Sequence, residues 1–197
     1  MKVYFSDFFG VTPDQIEDYG AFNISLINDL PLFIDPFLIY GSDKPEYQKL
    51  HNDILDYLVF LKGKADRPLS EAEILSWYKF SEVKQNWFGY SQVGNSGSGL
   101  GVKFGHSFSN SIHIVFDDLG KERITQSSHI EKACLFEVGI CKDSISDFTT
   151  NLIKEYLLEY TQEFAKTHID PKYLKKMMIP KVKFDYTCER WVSKEYS

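Results

Sequence analysis

The residues best suited by type and spacing to do chemistry lie in one loop, Gly94-Asn95-Ser96-Gly97-Ser98-Gly99-Leu100-Gly101, followed by Val102 and Lys103. Four of its eight residues are glycine and two are serine, between aromatic and apolar flanks. Backbone amides can converge in such a stretch, and a ligand can approach the main chain closely. Gly97, Ser98, Gly99 and Gly101 with Lys103 supply the parts of a phosphate cradle: inward N–H groups, small side chains and a neutralising ammonium. No Gly-Lys-Ser/Thr follows, so the spacing is not that of a P-loop. The Gly-x-Gly-x-Gly triplet also departs from the dinucleotide fingerprint. The plainer reading is a surface loop, and both stand open on the sequence.

Lys142 and Asp143 stand at the mouth of the strongest amphipathic helix, which Ser144-Ile145-Ser146-Asp147 is expected to cap. In a ligand reading, Lys142, Asp143 and the free helix amides face the glycine loop across a cleft. In the structural reading, the acids only answer the helix dipole.

Glu82-Val83-Lys84 is the third candidate. On a strand, Glu82 and Lys84 share one face. The pattern resembles the Glu-x-Lys of restriction-type nucleases. That resemblance implies a divalent metal held by carboxylates, with an upstream acid drawn from Asp35, Asp53, Asp56 or Asp66, and a lysine poised beside the attacked phosphate. If the phosphate-handling cleft is catalytic, Mg²⁺ assists phosphodiester cleavage there, with Glu82, Lys84 and Asp143 as the catalytic groups. The flanks are not those of a clean strand, and a solvated charge pair is the simpler account. Arg123 and His129 resemble the arginine–histidine spacing of helical ribonucleases, but their segment reads as strand and turn. His106 and His113 have no third ligand by sequence. Asp35, inside an apolar run and before Pro36, reads first as a turn-maker. The rings Trp77, Tyr78, Phe80, Trp87, Phe88 and Tyr90 can stack on bases, but lack an interleaved Lys/Arg comb and read as core.

The elements around these residues follow from capping and periodicity. Thr12-Pro13-Asp14-Gln15 starts a short helix that Gly20 stops. Ile24 to Ile27 and Leu32 to Tyr40 read as short buried strands. Pro45 opens a long helix ending at Gly63, with Tyr47, Leu50, Ile54, Tyr57, Leu58 and Leu61 on one face. Ser70-Glu71-Ala72-Glu73 is a second capping box. Ser111 to Phe116, Lys121 to Thr125 and Ala133 to Val138 read as strands, with a turn at Asp117-Asp118. Phe148, Leu152, Tyr156, Tyr160 and Phe164 form one long helical stripe. Lys181 to Tyr186 and Arg190 to Tyr196 make a closing hairpin.

The expected fold is therefore α+β: a helical N-terminal part, a central, mostly antiparallel sheet packed by the long helix of the C-terminal half, and a terminal β-hairpin. The 197 residues read as a single domain, with a helical subregion at about 43–80 and sheet plus long helix at about 81–197. Ending on a strand-like segment suggests the N-terminal fragment of a longer protein.

Sixteen Phe and twelve Tyr imply a core built on rings. A net charge of −6 argues against non-specific DNA binding, which needs phosphate neutralisation. Three cysteines, Cys134, Cys141 and Cys188, make no disulfide framework and suit a reducing, cytoplasmic setting. No window suits a membrane span. Two functions follow: a non-catalytic interaction module of a larger, bacterial-type intracellular assembly, docking a protein partner or a missing C-terminal domain; or a phosphate-handling domain that binds a nucleotide or nucleic acid through loop 94–103.

Overall fold

The computed structural model describes residues 3–26, 33–80, 83, 101–115 and 142–197. Helices α1 (Phe5–Phe9) and α2 (Pro13–Asp18) lead the chain. Thr12 and Gln15 cap α2 reciprocally, each side chain meeting the other's amide. Pro36–Tyr40 is not a strand but a short helix, α3, with Pro36 at its first position and the Asp35 carboxylate accepting from the Phe37 amide at 2.9 Å. A brief apolar run fits either element, and here the cap and the proline decide.

Helix α4 (Pro45–Lys64) runs one residue beyond Gly63 and buries Leu50, His51, Ile54, Tyr57, Leu58 and Leu61. The Ser70–Glu73 box starts α5 (Glu71–Glu73), which passes directly into a π-helical turn, Ile74–Tyr78. Val102–Val115 forms helix α6, which overturns the strand expected from Ser111. Phe104, Phe108 and Ile112 recur at four-residue spacing and turn inward, so the longer window carries a helical period that its last residues hide. Gly105 lets α6 lie close on the π turn: a Cβ there would sit 2.8 Å from Ile74 Cγ2.

The expected single long helix is two, α7 (Lys142–Leu152) and α8 (Lys154–His168), broken at Ile153 (φ −95°, ψ 12°). Thr150 Oγ1 and Asn151 Nδ2 donate back to the carbonyls of Ser146 and Asp147 at 2.7 and 2.8 Å. Such competition with the helical ladder bends helices. Helix α7 already begins at Lys142, two residues before the expected Ser144 cap.

Strands β1 (Met177–Asp185) and β2 (Arg190–Tyr196) pair antiparallel as the terminal hairpin. Pro180 cannot donate to the ladder, and β1 bulges between Ile179 and Lys183, with Lys181 left-handed at φ 51°. The chain is thus α+β, and this hairpin is the sheet among the described residues. The strands expected at 121–125 and 133–138, with Asp117, Asp118, Arg123, His129, Cys134 and Cys141, lie outside them.

The main core gathers Tyr57, Leu58, Leu61, Tyr78, Phe80, Phe108 and Phe148, so rings from α4, the π turn, α6 and α7 meet there. Trp77, Tyr78 and Phe80 are buried in it, which removes them as a stacking surface. Smaller clusters join α2 to the end of α8 (Ile16, Phe164, Ile169) and the hairpin to its middle (Leu158, Val182, Tyr196). Among the described residues no helix is long and apolar enough to cross a membrane.

Candidate functional site

Most of the sequence candidates fall outside the described residues. Gly97, Ser98 and Gly99, like Glu82, Lys84, Trp87, Phe88 and Tyr90, lie outside the described residues, and the Mg²⁺ reading that depends on Glu82 and Lys84 lies there with them. Gly101 directly precedes α6, and Lys103 is exposed in its first turn. Lys142 and Asp143 open α7, their side chains outside the described set. His106 is exposed, and His113 Nε2 meets Asp66 Oδ1 at 3.2 Å. Among the described residues no group of three His, Cys, Asp or Glu side chains is arranged to hold a metal ion. Cys188 is a free, exposed thiol in the hairpin turn.

A different site emerges from the packing. A cleft of about 210 Å³ opens between α4, the α7–α8 junction and the hairpin. Helix α4 lines it with Glu46, Lys49, Leu50, Asp53 and Tyr57, a single stripe at three- and four-residue spacing. The junction adds Glu155, Tyr156 and Glu159, and the hairpin adds Lys183, Phe184, Tyr186 and Trp191.

Its floor is aromatic and fixed. Tyr57 is fully buried, and its hydroxyl donates to the Trp77 carbonyl at 2.7 Å. Phe184 meets the Tyr57 ring edge-on at 4.9 Å between centroids, and Trp191 lies 5.5 Å from it. Burial holds the Tyr57 phenol neutral far into the alkaline range. Tyr186 is also raised by burial, then by the charges of Asp56 and Asp53. Tyr156 is pushed up to about 12 by burial and by Tyr47 beside it, whose ring stands 6.1 Å away.

The rim is charged. Lys183 pairs with Glu155 at 3.0 Å, and Lys194 joins Glu155 and Glu159 at 3.2 and 2.6 Å. Glu155 is desolvated, yet hydrogen bonds from these two lysines hold its carboxyl below the usual range. Asp53 goes the other way. Desolvation raises it, Lys49 and Lys183 only partly offset this, and Asp56 and Glu155 raise it further. Among the described residues Glu46, Asp53 and Asp56 form no ion pair. The cleft therefore carries surplus negative charge against ring walls, and favours a cation. In the sequence these acids read as the solvated face of α4. The hairpin that walls them in is more than 100 residues away in the chain, too far for spacing to reveal it.

No curated protein and no solved structure matches the chain. Residues 10–197 match the family described as a domain of unknown function (DUF8370), and the chain belongs to that family.

Proposed function

We propose that the chain is a non-catalytic interaction module of a larger intracellular assembly, and that its cleft receives a basic side chain from a protein partner. The observation that carries this reading is the charge imbalance over an aromatic floor: the carboxylates of Glu46, Asp53, Glu155 and Glu159 outnumber the ammonium groups of Lys49 and Lys183 on its lining, and Lys183 is committed to Glu155. A guanidinium gains from both features, by charge-assisted hydrogen bonds to carboxylates and by lying on ring faces. The size agrees. About 210 Å³ is below the roughly 300–1,000 Å³ of ordinary small-molecule pockets and suits one side chain.

The test is a titration with amidated hexa-arginine and hexa-glutamate peptides, followed through tryptophan fluorescence, since Trp191 lines the cleft. The arginine peptide binds, weakens as salt rises, and loses affinity in the Glu46→Gln/Asp53→Asn double variant. The glutamate peptide is silent. Equal binding of both peptides, or an unaffected double variant, removes the cleft from the interface.

A further inference from the structure

We propose, on the reading that the cleft takes a basic side chain, that Lys183 is its resident competitor and that the incoming cation displaces it from Glu155. Both residues line the cleft. Lys183 Nζ lies 3.0 Å from Glu155 Oε2, so the chain itself already places an ammonium on the acidic rim. Glu155 does not depend on that ammonium. Its other oxygen, Oε1, is held by Lys194 at 3.2 Å, and Lys194 is anchored in turn on Glu159 at 2.6 Å. Lys194 does not line the cleft. The two lysines therefore play different parts. Lys194 keeps Glu155 ionised and in place from outside the lining, and Lys183 occupies the second oxygen from within it.

Displacing Lys183 disturbs little. Its side chain is 62% exposed, and an exposed ion pair contributes little to stability, because water and salt screen it and both side chains lose freedom in making it. The backbone beneath it stays fixed. The β1 ladder resumes at Lys183, opposite Val192, and the next residue, Phe184, is buried in the cleft floor. Only the flexible four-carbon side chain has to swing away. A guanidinium that takes its place brings a planar fork of five donors where the ammonium is a point charge, and so holds a carboxylate more firmly. The charge of Lys183 also reaches Asp53, where it works against the desolvation that raises that carboxyl. Both carboxylates thus lose a counter-charge when Lys183 leaves and regain one when an arginine enters. Until then Lys183 lowers the apparent affinity of the cleft, since the ligand takes only those molecules in which the lysine has moved aside.

The experiment titrates amidated hexa-arginine into the full chain and its variants, with tryptophan fluorescence as the readout and thermal unfolding as the check on folding. Lys183→Gln binds the peptide about three- to fivefold more tightly than the parent, the range that release of one exposed ion pair allows. Its Tm stays within about 2 °C of the parent's. Lys183→Arg restores a cation opposite Glu155 and shows no gain. Lys176→Gln makes the same charge change at the Lys176–Glu195 pair, outside the cleft lining, and binds like the parent. Glu155→Gln weakens binding and cancels the gain of Lys183→Gln when the two are combined, as residues sharing one interaction must. If the parent binds and Lys183→Gln binds no more tightly, the competitor is overturned and the cleft reading stands. An equal gain in Lys176→Gln has the same consequence, since it marks general charge steering. A peptide that binds neither the parent nor Lys183→Gln overturns both.

Discussion

Tyr19 and Tyr160 exchange hydrogen bonds: each hydroxyl donates to the other residue's backbone carbonyl, across 141 positions of sequence. Their rings lie 4.5 Å apart, and Phe164 packs on Tyr19 at 5.0 Å. This clasp fastens the end of α2 to the middle of α8. Tyr19→Phe and Tyr160→Phe keep the ring contacts and each lose one bond, at about 1 kcal/mol in urea unfolding. The double variant departs from additivity, since the two bonds hold one junction. Burial raises both phenols above their ordinary value. Their contribution is therefore complete below about pH 10, where phenols in the unfolded chain are neutral, and it fades as pH climbs through the folded values. Stability measured from pH 8 to 11 falls less steeply in the double phenylalanine variant.

Gly105→Ala sets two effects against each other. In a helix interior alanine is favoured over glycine by about 1 kcal/mol. The new Cβ, however, would stand 2.8 Å from Ile74 Cγ2 and 3.1 Å from Tyr78 Cβ. Both neighbours are buried, so α6 must retreat from the π turn, and overpacking of this kind costs roughly 1–3 kcal/mol. The clash prevails. The expected result is a lower urea midpoint, with helix content by circular dichroism unchanged or slightly higher.

What the sequence made legible was local. The boxes at Thr12–Gln15 and Ser70–Glu73, the stripe of α4 and the closing hairpin are each written in adjacent residues, and each is found. One misreading comes from a window too short to fix the period. Ser111 to Phe116 alternates when read alone, whereas Phe104, Phe108 and Ile112 keep helical spacing over the whole of α6. The break at Ile153 was hidden because Thr150 and Asn151 look compatible with helix until their side chains bond backward. The acidic cleft was not legible, because it depends on contacts between distant segments.

Asp185 organises the hairpin turn. Its Oδ1 accepts from the amides of Thr187 and Cys188 at 2.8 and 3.0 Å. These backbone bonds hold its carboxyl below the ordinary value. A depressed carboxyl contributes above its unfolded value and stops contributing as pH falls through the folded one. Asp185→Asn keeps an acceptor oxygen at the same place and removes that acid-side loss, while Asp185→Ala removes the turn bonds at every pH. Hydrogen exchange at the Thr187 and Cys188 amides separates the cases. Exchange quickens at all pH values for alanine, and with acid only for the parent.

Tyr57→Phe tests the floor of the cleft. The ring, packed against Phe184, Trp191 and Phe148, is retained, so little apolar burial is lost. What goes is the donor to the Trp77 carbonyl; among the described residues the Tyr78 hydroxyl, donating to the Leu61 carbonyl, then remains as a buried side-chain bond between the π turn and α4. A buried carbonyl left without its partner costs about 1–3 kcal/mol. Truncation to alanine removes the ring as well, and costs about 3–5 kcal/mol. The phenylalanine variant therefore unfolds at lower urea, with a Trp77 emission change as the π turn loosens. Its affinity for the arginine peptide stays within about twofold, because the rim carboxylates Glu46 and Asp53 are untouched. A large loss of peptide binding with little loss of stability would instead give the Tyr57 hydroxyl a direct part in recognition.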